Sequence, residues 1–218
     1  MSVTFSALIG YFLGCINPAA MISVIKKYSL RDKGTGNLGA TNVALLFGKK
    51  YGVIVMLFDI FKSFIAYHIA KTLFVSEACA SMIAGVFAVI GHCFPFYLGF
   101  KGGKGLAAFG GIVLAFDPMI FALLLGIAVV LMLIVNYSFV VPYTGGLLFP
   151  LLAYIKSGNA AICALAAVAG ALIMCRHFEN VVKAMRSTDI TVRAFYKRVL
   201  KKHKVESDAD LGTNDTNE

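Results

Sequence analysis

Charged residues are scarce in this sequence. Only 14% of its 218 residues are charged, whereas about a quarter of an ordinary soluble domain is charged. The apolar fraction is 59% and the mean hydropathy is +0.82. So few charges cannot cover a surface that faces water. The composition therefore excludes an ordinary soluble domain and indicates that lipid surrounds most of the chain.

Two other features are missing: a cysteine pattern typical of a metal site, and the flanking residues typical of a cleaved signal peptide. The five cysteines are odd in number, lie in apolar stretches and form no CxxC or Cys/His pattern, so we interpret them as packing residues and expect no metal site. Residues 3–25 are apolar, but no basic stretch precedes them and no A-x-A-like cleavage site follows. We therefore expect them to form a membrane span rather than a cleaved signal peptide.

The apolar runs predict an all-α polytopic membrane protein. A spanning helix needs about 20 apolar residues, and six stretches approach this length: 3–25, 51–72, 79–98, 119–136, 138–155 and 160–176. A seventh stretch, 106–117, is shorter and is closed by Asp117 and Pro118. We count it as a crossing, which gives about seven transmembrane helices.

The basic residues predict how the chain is oriented. They concentrate in residues 26–50, 99–105 and 176–204. If all three segments face the cytoplasm, the positive-inside rule is satisfied. This arrangement requires an odd number of spans, an outside N-terminus and a cytoplasmic C-terminus. It also requires residues 106–117 to cross the membrane.

The C-terminal tail has the opposite charge. All 20 basic residues lie before position 205, whereas five of the 11 acidic residues lie after it. Residues 205–218 are polar and hold almost nothing that a fold could bury, so we predict a disordered acidic tail. Residues 1–204 then form one membrane domain that includes a basic C-terminal helix.

Three polar segments carry groups that suit phosphate. In residues 31–42, glycines alternate with side-chain donors beside several cations, and a helix beginning near Ala40 would direct its positive end to the same place. The alternative is a flexible linker. The candidate anion-binding residues of this segment are Thr35, Gly36, Asn37, Gly39, Ala40, Thr41 and Asn42.

The second segment, residues 91–105, reads GHCFPFYLGFKGGKG. Its lysines supply the point charges that suit phosphate, and its glycines let a ligand approach the backbone. The alternative is a basic turn with glycine breakers. Its candidates are Lys101, Gly102, Gly103, Lys104 and Gly105, and we expect the Gly102 and Gly103 amides to bind the anion.

The third segment places Arg176, His177 and Asn180 on one helix face. Arginine can bind phosphate through a bidentate pair of hydrogen bonds, and histidine can transfer protons near neutral pH. The alternative is a basic helix end at the lipid surface. Asp59 and Lys62, three residues apart inside a span, form either a structural ion pair or a support for the site, and His92 is a further supporting candidate.

The stretches GTGNLGATN, GHCFPFYLGFKGGKG and RHFEN, in this order, resemble the motifs of the bacterial acyl-phosphate:glycerol-3-phosphate acyltransferase family. The resemblance covers roughly residues 8–190. The chain departs from the family pattern at Thr35, where Ser is usual, and at residues 44–46, where an Arg is usual.

The resemblance implies a multi-pass enzyme of the bacterial cell membrane. It would transfer a fatty acyl group from acyl phosphate to the 1-hydroxyl of glycerol 3-phosphate, with no cofactor and no nucleic acid partner, giving lysophosphatidate and phosphate. Lys104, His177 and Asn180 would be catalytic, with Lys104 holding the acyl phosphate and His177 or a donor oxygen accepting the hydroxyl proton. Arg176, with Lys101, would hold the glycerol phosphate. The alternatives are a transporter of a small phosphorylated anion and an inactive binding protein.

Overall fold

The computed structural model describes residues 1–186 and 191–197, and these residues form helices and connecting segments without strands. The long and short helices follow one another in this order: α1 (Ser2–Cys15), α2 (Pro18–Ile25), α3 (Ala40–Phe47), α4 (Lys49–Leu73), α5 (Ala80–Cys93), α6 (Leu106–Phe116), α7 (Pro118–Val135), α8 (Val140–Ser157) and α9 (Ala160–Met185). A 3₁₀ turn, Phe96–Leu98, lies between α5 and α6. The predicted tail, residues 205–218, lies outside the described residues.

The first predicted span is not one continuous helix. It divides into α1 and α2 at Ile16, whose backbone is extended, and Asn17. The Asn17 side chain accepts a hydrogen bond of 2.8 Å from the Ala20 amide and so caps α2. Pro18 lacks an amide hydrogen and is therefore well suited to the first position of α2. The break leaves the Ile16 carbonyl available to another part of the protein.

The short stretch before Pro118 forms α6, which has 11 residues and would extend about 16 Å at 1.5 Å per residue. Asp117 ends it and caps α7, accepting hydrogen bonds from the amides of Met119 (2.8 Å) and Ile120 (3.0 Å). Lys156 Nζ lies 3.1 Å from Asp117 Oδ2. The Ile120 amide, followed by Lys156, holds the pKa of the Asp117 carboxyl below its ordinary value.

In the described part of the chain, five helical segments are long and apolar enough to cross a membrane: Ser2–Ile25, Lys49–Leu73, Ala80–Leu98, Pro118–Val135 and Ala160–Met185. The shorter α6 is apolar, and α8 has the length but not the hydropathy. The protein is thus an all-helical membrane protein with several spans. The number seven stays a prediction.

Small residues bring the helices together. Gly10 and Gly14 of α1 lie against Ala84 and Ala88 of α5 so closely that a Cβ would overlap the two alanine carbonyls. Such close contacts drive helix association in lipid, where apolar side chains gain little from leaving lipid for a neighbouring helix. The main core lies between α5, α6, α8 and α9, and it includes Met82, Ile112, Phe149 and Ile173.

Candidate functional site

A cavity of about 310 Å³ connects the predicted polar segments with the apolar helices. Its polar wall contains nine of the predicted site residues: Asn37, Gly39, Ala40, Thr41, Asp59, His92, Lys104, Gly105 and His177. The remainder of the wall is apolar and comes mainly from α6, α7 and α8, with Phe109, Val113, Phe121, Leu124, Ala128 and Val141 among its residues. The cavity is therefore polar at one end and apolar along the helices.

The first segment is held in shape by Asn42. Its side-chain oxygen accepts a hydrogen bond of 2.7 Å from the Thr35 amide, and its nitrogen donates to the carbonyls of Leu30 (2.8 Å) and Lys33 (3.2 Å). Asn42 is fully buried. Its amide is thus used within the protein, and we correct the prediction that it binds an anion directly. Helix α3 begins at Ala40, which confirms the predicted helix start.

The amides of Gly102 and Gly103 are also used within the protein. They donate to the carbonyls of Cys93 (2.9 Å) and His92 (3.1 Å). The expectation that these amides bind an anion does not fit this geometry, because the second segment folds back onto the end of α5. What glycine provides at position 103 is close approach, since a Cβ there would overlap His92 Nε2.

The second and third segments meet at Lys104. The Lys104 ammonium donates a hydrogen bond to the side-chain oxygen of Asn180. Gly105 follows Lys104 as the N-cap residue of α6, and its φ of 84° is a conformation that favours glycine. The predicted catalytic residues Lys104 and Asn180, 76 positions apart in the chain, are therefore neighbours in the fold.

Arg176 and His177, the neighbouring candidates on α9, make different contacts. The Arg176 guanidinium donates a hydrogen bond of 3.1 Å to the Gly103 carbonyl and lies over the Phe94 ring, 5.4 Å from its centroid. His177 Nδ1 lies 2.8 Å from the Ile173 carbonyl. Because a carbonyl only accepts, Nδ1 carries the hydrogen. In the neutral ring, the other nitrogen, Nε2, then has a lone pair that can accept a proton.

Asp59 and Lys62 form the ion pair that their spacing predicted, with 2.7 Å between Lys62 Nζ and Asp59 Oδ1. His92 joins them, since its Nδ1 lies 2.9 Å from Lys62 Nζ. All three side chains are buried, and Asp59 and His92 also line the cavity. This polar cluster therefore lies directly beneath the site.

Arg31 makes contacts that were not predicted from the sequence. One guanidinium nitrogen donates to the carbonyls of Lys101 (2.7 Å) and Leu98 (3.3 Å), which fastens the first segment to the second. Lys101 contributes this carbonyl, and neither its side chain nor Thr35 or Gly36 lines the cavity. Position in a basic loop was the only sequence signal for Arg31.

In the described part of the chain, no three His, Cys, Asp or Glu residues are placed to hold a metal ion.

Comparison with known proteins agrees with these features. A family model described as glycerol-3-phosphate acyltransferase matches residues 4–187. The chain is 36% identical to the glycerol-3-phosphate acyltransferase of Aquifex aeolicus over 183 residues, which cover 83% of this chain and 94% of the relative. It is 33% identical to that of Thermoanaerobacter pseudethanolicus over 190 residues, covering 87% and 95% of the two chains.

The fold is also similar to solved structures of PlsY, an integral membrane glycerol 3-phosphate acyltransferase. Its glycerol 3-phosphate form matches with a TM-score of 0.81 and 33% identity, over 88% of this chain and 96% of that chain. Its lysophosphatidic acid form matches with a TM-score of 0.81 and 32% identity, over 92% and 99%. The motifs, the cavity and these matches lead to one conclusion: the chain belongs to the glycerol-3-phosphate acyltransferase family.

Proposed function

We propose that this protein transfers a fatty acyl group from acyl phosphate to the 1-hydroxyl of glycerol 3-phosphate, giving lysophosphatidate and inorganic phosphate. One observation carries the proposal: a single cavity has Lys104 and His177 at its polar end and an apolar wall along α6, α7 and α8. A lipid-soluble acyl donor and a water-soluble phosphate ester need such a combined site. The similarity to glycerol-3-phosphate acyltransferases supports the same reaction.

Lys104 at the polar end of the cavity and Arg176, which contacts the neighbouring Gly103, bring together two anions that otherwise repel each other. Lys104 holds the phosphate of the acyl donor and stabilises the charge that develops on it as it leaves. Asn180 holds the lysine in place through their hydrogen bond. Arg176 fixes the backbone before Lys104, and its remaining donors serve the phosphate of glycerol 3-phosphate. Positioning of this kind can supply several kcal/mol of the barrier, about 7–11 in well-oriented model reactions.

The chemical step needs no covalent enzyme intermediate, because acyl phosphate is an activated mixed anhydride. The 1-hydroxyl oxygen of glycerol 3-phosphate forms a bond to the acyl carbonyl carbon. The bond between that carbon and the phosphate oxygen breaks, and phosphate leaves with the electron pair. The hydroxyl proton passes to His177 Nε2, whose lone pair is available because Nδ1 donates to Ile173.

We further propose that the protein lies in the bacterial cell membrane with its N-terminus outside and this site on the cytoplasmic face. The three predicted segments gather at one end of the bundle, as the contacts of Arg31 with Lys101 and of Lys104 with Asn180 require. The positive-inside rule favours the cytoplasm for this end. Single cysteines at Ser2 and at Lys33, in a variant lacking the five natural cysteines, test this by labelling from either side of sealed vesicles.

The function is tested with purified protein in detergent, synthetic acyl phosphate and labelled glycerol 3-phosphate. We expect labelled lysophosphatidate and one phosphate released for each acyl group transferred. Labelled product that needs acyl-CoA instead of acyl phosphate would contradict the proposed donor. Uptake of labelled glycerol 3-phosphate into sealed vesicles without acylation would favour a transporter. Binding of glycerol 3-phosphate with neither acylation nor uptake would favour an inactive binding protein.

A further inference from the structure

Lys62 is the centre of the buried polar cluster beneath the cavity. Its ammonium lies 2.7 Å from Asp59 Oδ1, 2.7 Å from the Ile16 carbonyl and 2.9 Å from His92 Nδ1. A lysine ammonium has three hydrogens and no acceptor. The three neighbours therefore take all three hydrogens, and the break between α1 and α2 supplies one of the acceptors.

This arrangement determines the tautomer of His92. Because the Lys62 ammonium only donates, His92 Nδ1 must accept. A neutral imidazole then carries its hydrogen on the other nitrogen, Nε2. Asp59 Oδ1 is farther from Nδ1, at 3.2 Å, and could accept a second hydrogen bond, but a hydrogen on Nδ1 would also face the nearer Lys62 ammonium, which carries hydrogens of its own. His92 thus carries an N–H donor on the edge of the ring opposite Lys62.

That edge of the ring lies next to the residue that precedes Lys104. His92 Nε2 is next to Gly103, so close that a Cβ at position 103 would overlap it. Gly103 directly precedes Lys104 in the chain, and its amide donates to the His92 carbonyl at 3.1 Å. His92 lines the cavity together with Lys104 and His177. His92, which carries this donor, therefore belongs to the same cavity wall as both proposed catalytic groups.

We infer that His92 Nε2–H donates a hydrogen bond to the acyl carbonyl oxygen of the bound donor and stabilises the negative charge that this oxygen acquires during transfer. The inference rests on the proposed function. As the hydroxyl oxygen bonds to the carbonyl carbon, a pair of electrons moves onto the carbonyl oxygen. The pair returns when the bond to phosphate breaks, and the hydroxyl proton leaves to His177.

Charge placement favours the carbonyl over either phosphate as the partner of His92. A phosphate beside the His92 ring would lie near the Asp59 carboxylate, which is 3.2 Å from Nδ1, whereas the Lys104 ammonium offers it a positive charge. A neutral N–H suits a carbonyl oxygen, which acquires its charge only during reaction. The hydrogen bond from the Lys62 ammonium to Nδ1 polarises the ring and makes Nε2–H a stronger donor.

Two substitutions separate this role from a structural one. In His92→Asn the side-chain oxygen takes the place of Nδ1 and can still accept from Lys62, but no donor reaches the Nε2 position. In His92→Gln the side-chain amide reaches the Nε2 position and can supply an N–H. We expect His92→Asn to keep its unfolding temperature and its KM for glycerol 3-phosphate, while kcat falls about 100-fold or more.

We expect His92→Gln to retain more kcat than His92→Asn. A kcat close to wild type in His92→Asn, or a lower kcat in His92→Gln than in His92→Asn, would overturn the inference, because contact with Lys62 would then be what matters. The wild-type protein in the same assay tests the proposed function separately.

A second measurement needs neither activity nor a folded His92 variant. The ¹⁵N spectrum of wild-type protein labelled at histidine reports which nitrogen of each ring carries the hydrogen. Substitution of His68, His177 and His203, one at a time, assigns the His92 signals by elimination. A hydrogen on Nε2 supports the inference. A hydrogen on Nδ1 refutes it.

Discussion

Substitution of Lys62 by methionine tests the buried cluster most directly. Lys62 and Asp59 are only 4% and 2% exposed, so the change leaves a carboxylate in the protein interior without its ammonium partner. It also leaves His92 Nδ1 and the Ile16 carbonyl without their donor. Breaking a buried ion pair by removing one partner costs about 3–5 kcal/mol.

The size of the effect follows from which group is left behind. Replacing both charges, in Asp59→Leu/Lys62→Met, removes the orphaned carboxylate, and an apolar pair of similar volume is often about as stable as the ion pair. We therefore expect Lys62→Met to lose about 3–5 kcal/mol and the double variant to regain most of this loss. Lys183 and Glu179 form a matched exposed pair, for which Lys183→Met should cost at most about 1 kcal/mol.

Equilibrium unfolding by SDS in mixed micelles measures all three variants against the wild type. The reasoning fails if Lys62→Met unfolds at the same SDS fraction as Lys183→Met. It also fails if the double variant is less stable than Lys62→Met, because the cost would then come from packing or from His92 and Ile16 rather than from the carboxylate.

Three further outcomes are expected. Lys104→Met should lower kcat/KM by about 1000-fold or more with little change in unfolding temperature, because it removes the cation that stabilises the leaving phosphate; near-normal turnover would contradict that role. His177→Ala should lower kcat about 100-fold or more, and if it keeps near-normal turnover the proton acceptor is a phosphate oxygen of the donor. Asp117 has a lowered pKa, so its contribution to stability is complete above the unfolded pKa near 4 and disappears as pH falls below that value. Asp117→Asn keeps the helix cap, so its unfolding temperature should fall less between pH 6 and about pH 3 than that of the wild type. Parallel curves of unfolding temperature against pH for the two proteins would refute this.

Features that depend on neighbours in the chain were predictable. The start of α3 at Ala40 followed from the end of the glycine-rich segment, and the ion pair of Asp59 with Lys62 followed from their spacing on one helix. The break at Asn17 and Pro18 carried a local signal too. The break was missed because residues 3–25 are apolar on both sides of it, and a span is predicted from hydropathy averaged over the whole stretch.

Contacts between distant residues were not predictable. His92 joins Lys62 across 30 positions, and Arg31 reaches Lys101 across 70. For the same reason Asn42, Gly102 and Gly103 were assigned to an anion, although the structure shows their donors hydrogen-bonded within the protein. Residue types indicate which donors exist, but only packing determines which donors are already used.

The sequence by itself determined that the chain lies in a membrane and which groups are available for chemistry, because hydropathy and residue identity do not depend on folding. Tertiary structure alone decided that α6, α7 and α8 line an apolar cavity next to Lys104. It also gave Nδ1 of the two histidines of this cavity different partners, from which we infer opposite tautomers. A carbonyl of α9 holds the hydrogen on Nδ1 of His177, whereas the Lys62 ammonium excludes it from Nδ1 of His92. A ring nitrogen takes its role from its hydrogen-bond partner, and that partner is set by the fold.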